Sequence, residues 1–152
     1  MTAVPAAVLG VVLATAAAAC QPPNGGGSKS NAEVCSDMDD QIPYLVAGIV
    51  SSSMSLGFYQ GGVDDMSADD QATVLNQVHA SYSDLSGALR SEADLADDAD
   101  MAATLNATAD DVDAQGARIK TVRDVAAMGA DSVDVSRLYS HCPGMNLDLK
   151  SG

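Results

Sequence analysis

Tryptophan is absent from these 152 residues, phenylalanine occurs once, and aromatics make up only 3% of the chain. A core built from this sequence cannot rest on stacked rings, so Val, Leu, Ile, Met and Ala must fill it. Bases are also scarce, with seven Lys and Arg against 21 acids and a net charge of −14. Phosphate backbones and anionic headgroups would repel such a chain, which argues against nucleic acid and against electrostatic docking on lipid. No stretch alternates apolar and polar residues as a strand does, and no segment repeats. The chain has no G-x-S-x-G elbow, and its Gly25 to Gly27 run lies outside any strand-to-helix context that could cradle phosphate. Paired aspartates recur (Asp39-Asp40, Asp64-Asp65, Asp69-Asp70, Asp97-Asp98, Asp110-Asp111), yet none forms the D-x-D-x-D-G loop of a calcium hand. They read as solvated faces and helix caps. The expectation is a protein that is not an enzyme, with no catalytic residue, metal ligand or cofactor assigned.

What is present begins with the leader. Residues 1–19 carry no Asp, Glu, Lys or Arg, and apolar residues run from Ala3 to Ala14 with Pro5 among them. A membrane span needs about 20 apolar residues, and Pro5 shortens the helix available, so the length suits a signal h-region. Small residues then lead to Cys20. Ala18-Ala19-Cys20 resembles the bacterial lipoprotein signal, the lipobox. That resemblance implies cleavage before Cys20, a diacylglyceryl thioether on its sulfur, and anchorage at the outer face of the cytoplasmic membrane. Two other fates fit the same residues: an uncleaved leader helix, or secretion by cleavage before Cys20. All three export the domain.

Gln21 to Asn31 contains Pro22-Pro23, three glycines and two serines, a composition that behaves as a flexible tether. The other two cysteines are Cys35 and Cys142. In an exported chain an isolated pair reads as one disulfide, and it lacks the clustered spacing of a zinc site. Closing a loop on the order of 100 residues contributes roughly 4 to 5 kcal/mol on the chain-entropy model.

Apolar spacing of three and four residues predicts helices. The first runs over 32–58 with Asn31 as N-cap, Val34, Met38 and Ile42 inward, and a break or bend near Pro43. The second opens at Ser67 with Asp70 and buries Leu75, Val78, Tyr82, Leu85 and Leu89, fading between Glu92 and Asp100. A third spans 98–128 with Met101, Leu105, Ala109, Val112, Gly116, Ile119, Val122 and Ala126 inward, stopping at Gly129. A short fourth follows Asp131-Ser132 with Val135, Leu138 and Tyr139 inward. The fold class is all-α, an up-and-down bundle of three helices plus a short C-terminal one, closed by the disulfide. Residues 1–19 form the signal peptide, 20–31 the acylated cysteine and tether, 32–145 the bundle, and 146–152 a loose tail. To bring Cys35 within about 6 Å of Cys142, either a kink at Pro43 or the last helix must close the gap.

The lipobox-like residues, tether, helices and cysteine pair together resemble the small secreted α-helical lipoproteins common in actinobacteria. The likeness implies a membrane-tethered, non-catalytic module of the cell envelope that engages an envelope protein or a cell-wall component. The alternative is an envelope carrier of a small ligand, metal or haem in a cleft between helices, for which Met38 and His141 are conceivable ligands.

Overall fold

The computed structural model describes residues 27–56, 63–128 and 133–145. Three long helices make the bundle: α1 (Asn31–Leu56), α2 (Ala68–Leu95) and α3 (Ala99–Gly116). A short α4 (Val122–Ala126) and two 3-10 turns, Val63–Asp65 and Ser136–Ser140, cover its sides and ends. The described residues are all-helical, without a strand. The leader with Cys20, the Gly61-Gly62 and Gly129 stops, Phe58, Asp131-Ser132 and residues 146–152 lie outside the described residues.

Each long helix contributes one apolar stripe. Val34, Met38, Ile42, Val46 and Ile49 of α1 face Val78, Tyr82, Leu85 and Leu89 of α2 and Met101, Leu105, Ala109 and Val112 of α3, all buried. α2 and α3 are antiparallel across the short turn Ala96 to Asp98, with Tyr82 against Gly116 and Arg90 bonded to Asp110 and Asp113. Ser67 caps α2 by accepting from the Asp70 amide at 3.1 Å, as expected from the sequence.

Three expectations need correction and one is narrowed. Pro43 lies inside α1, so of the break or bend expected there the break does not occur. Its missing N–H costs one helical bond, and the burial of Ile42 and Val46 on either side offsets that loss. The N-cap of α1 is Ser30, not Asn31. Ser30 N donates to Glu33 Oε2 at 2.9 Å and Glu33 N donates to Ser30 Oγ at 3.5 Å, a reciprocal capping box.

The third helix ends at Gly116 rather than 128. A new N-terminus forms at Thr121, whose hydroxyl accepts from Asp124 N at 3.2 Å while Asp124 Oδ2 accepts from Thr121 N at 2.8 Å. Ile119, Val122 and Val125 remain buried across the break, but Ala126 is exposed. The fourth helix is a 3-10 turn, and Tyr139 is 41% exposed while Val135 and Leu138 are buried. At three residues per turn 135 and 138 align, which leaves 139 on the outside.

The short C-terminal segment closes the gap between the cysteines. It runs back to the start of α1, where Cys142 joins Cys35 across a sequence separation of 107 with the Cα atoms 5.5 Å apart.

Close approach at Gly116 fixes the α2–α3 contact, because a Cβ there would lie 2.9 Å from both Cβ and Cγ of Tyr82. Those atoms sit at the root of a buried ring and cannot swing aside. Gly116→Ala should therefore lower the unfolding free energy by about 1 to 3 kcal/mol through overpacking, despite alanine's better helix propensity. A urea midpoint equal to or above that of the parent would show that the helices separate freely there.

Candidate functional site

The end of the bundle that carries the disulfide also carries a polar network around Lys29. Lys29 lies in the stretch expected to be a flexible tether, yet it is tied down by backbone and side chain alike. Its N–H donates to Leu95 O at 2.6 Å, and its carbonyl accepts from Asp97 N at 2.9 Å. Its ammonium meets Asp37 Oδ2 at 2.7 Å and both Glu92 oxygens at 2.8 and 2.9 Å. The bundle domain thus begins three residues before the predicted boundary. Glu92 is only 5% exposed, and Lys29 is the cation that meets its carboxylate. Hydrogen bonds from Lys29 to Asp37 and then Glu92 raise the ammonium above its ordinary value.

Beside this clamp Asp98 caps α3, accepting from the amides of Asp100 and Met101 at 2.8 and 3.0 Å. It also accepts from Asn31 Nδ2 at 3.2 Å. The Met101 amide, then Asn31, then the Asp100 amide hold its carboxyl below the usual aspartate range, and the charge of His141 acts the same way. Asn31 Oδ1 is buried without a hydrogen-bond partner.

Asn31, Ala32, Cys35, Asp39, His141 and Met145 line a groove of about 440 Å³, with Cys142, Pro143 and Gly144 completing its wall. The groove therefore opens onto the disulfide. Cys142 is sealed at 2% exposure, whereas Cys35 is half-buried.

Of the residues singled out in the sequence, Cys35 and Cys142 are brought together and Cys20 lies outside the described residues. Met38 is fully buried in the core while His141 sits in the groove. His79 Nε2 lies 2.9 Å from Ile119 O; a carbonyl only accepts, so this nitrogen carries the proton. His79 also lines a small cavity of about 150 Å³ with Tyr82, Ser83 and Asp113. Among the described residues no group of three or more His, Cys, Asp or Glu could hold a metal ion. No helix among them is long and apolar enough to cross a membrane.

Several aspartates serve the fold. Asp98 caps α3, Asp70 accepts from the Ser67 hydroxyl, Asp124 accepts from the Thr121 amide, Asp110 and Asp113 share Arg90, Asp111 meets Arg137, and Asp64 accepts from Arg123 Nη2 at 2.6 Å. These surface pairs contribute about 0 to 1 kcal/mol each. Lys29 and Glu92 went unnoticed in the sequence, although one signal existed. Glu92 is one of two glutamates among 21 acids, and its extra methylene provides reach that aspartate lacks. The other glutamate, Glu33, closes the α1 capping box.

Comparison with protein-family models, with curated proteins and with solved structures returns no match for this chain.

Lys29→Met should cost about 1 to 3 kcal/mol, because it strands the buried Glu92 carboxylate. The Lys29 side chain is 27% exposed, which keeps the cost below that of a fully buried pair. Converting Glu92 to Met as well should restore most of the loss. If the double variant is no more stable than the single one in urea, the clamp is not what Glu92 requires.

A pH series tests the caps. Ser86 and then Arg90 depress Asp113, the Lys120 amide and then Thr121 depress Asp124, and Ser136 depresses Asp134. A carboxyl lowered by folding stabilises fully above its unfolded value, and that contribution is lost as pH falls through the folded one. Stability should hold from pH 7 to about 4, then fall as pH drops below the ordinary aspartate value of 3.8. Loss of stability already between pH 7 and 5, in urea midpoints, would contradict this assignment.

Proposed function

We propose that this chain is a cell-envelope module held to the outer face of a membrane by lipid on Cys20, and that its helical domain engages an envelope protein or cell-wall partner without catalysis. The observation that carries this reading is the allocation of the three cysteines. Cys35 and Cys142 pair with each other, as expected in an oxidising compartment, and Cys20 stands apart, directly after Ala18-Ala19. Two acyl chains hold a protein stably at a bilayer, whereas one holds it only marginally.

Lys29 adds a geometric consequence. Among the described residues it is the first one bonded to the bundle, and Gln21 to Ser28 lie between it and Cys20 in the sequence. Fully extended, that stretch reaches roughly 30 Å. On this reading the clamped end stays within that distance of the bilayer, and the opposite end, near Val63 to Asp65 and α4, is presented away from it. A net charge of −14 keeps the domain off anionic headgroups while the lipid keeps it close.

Mass spectrometry of the mature protein should find Cys20 at its N-terminus carrying acyl chains and the other two cysteines joined. Cys20→Ala should abolish lipid labelling and release the domain from the membrane fraction. A variant that still partitions with membranes like the parent would defeat the anchor.

A further inference from the structure

We propose that the Cys35–Cys142 bond is a thiol-exchange site, opened in the folded protein by a small thiol that enters the adjoining groove and attacks Cys35. Two observations set the direction of attack. Both cysteines line the groove of about 440 Å³, and only Cys35 is part-exposed, since Cys142 is 2% exposed. The groove's volume accommodates a peptide-sized thiol, and Gly144 on its wall has nothing within 4 Å of where a side chain would start. Access decides which sulfur of a disulfide reacts, and access here is one-sided.

The chemistry is exchange without outside cofactors. A thiolate forms a new S–S bond to Cys35 as the Cys35–Cys142 bond breaks, and Cys142 leaves as the thiolate. A second thiolate then attacks the mixed disulfide, releasing Cys35 as thiolate and the oxidised disulfide of the attacking thiol. The protein bond is reduced and two thiols are oxidised. His141 carbonyl oxygen lies 3.6 Å from Cys35 Sγ, so the released Cys35 thiol has an acceptor already in place.

Opening the bond unfastens the C-terminal segment but leaves the Lys29 clamp intact, because the clamp ties α1 to α2 through Glu92 and Leu95 without involving Cys142. Among the described residues, the polar ties that join 133–145 to the rest of the chain then include Asp134 with Gln115, Arg137 with Asp111 and Cys35 with the His141 carbonyl. The site would thus convert the thiol state of the surroundings into release of one segment. This inference stands whether or not Cys20 carries lipid.

The test uses the full chain, reduced glutathione without denaturant, and rapid alkylation with N-ethylmaleimide. Peptide mapping should find glutathione on Cys35 and the alkyl group on Cys142, with a rate proportional to thiolate concentration. Ala32→Phe, an exposed change on the groove wall, should slow the reaction on the order of tenfold with an unchanged melting temperature. Glutathione on Cys142, or a rate that saturates at the unfolding rate of the chain, overturns the proposal. So does an Ala32→Phe variant that reacts as fast as the parent.

Discussion

The bond between Cys35 and Cys142 sets the path of the described C-terminal segment, residues 133–145. The one regular element in that segment is a 3-10 turn, a weak structure that rarely persists alone. Ordering such a segment costs about 1 to 2 kcal/mol per residue in backbone entropy. The crosslink reduces that cost by keeping the segment near α1 even in the unfolded chain. Val133, Val135, Leu138 and Met145 then complete the core at an end that α1 to α3 leave open. The groove exists because of the same constraint, since its two walls are the first turns of α1 and the turn around Cys142.

A second constraint acts on the other chain end. Lys29 fastens the start of the domain to the α2–α3 turn through two backbone bonds and an ammonium set between Asp37 and the buried Glu92. Both ends of the folded domain are therefore fixed at one pole of the bundle, one covalently and one electrostatically. In a chain with 21 acids and seven bases, each paired base matters more than its number suggests. Arg90, Arg123 and Arg137 are spent on links between elements, and they tie α2 to α3, α4 to the first 3-10 turn, and the C-terminal turn to α3.

Much of this was legible along the chain. Stripes such as Val78, Tyr82, Leu85 and Leu89 announce a helix and its buried face, because the period of a helix is a local property. Ser67 with Asp70 marked a helix start for the same reason. Thr121 with Asp124 carried the same signal and was overridden by the long apolar pattern from Met101 to Val122, which continues inward across a break that the pattern alone cannot reveal. Gly116 was assigned to the interior of a helix; its true role depends on Tyr82, thirty-odd positions away, and no window along the chain contains both.

Periodicity and composition were enough for the all-α fold class and for most of the apolar faces, and counting cysteines was enough for the Cys35–Cys142 pair. Packing was needed to show that Lys29 is bonded to the α2–α3 turn, that Glu92 is buried against it, and that the disulfide borders a groove on its Cys35 side. These features arise where α1, the α2–α3 turn and the C-terminal segment meet. Contacts among residues 29, 92 and 142 are set by how helices pack, and packing is not a local property.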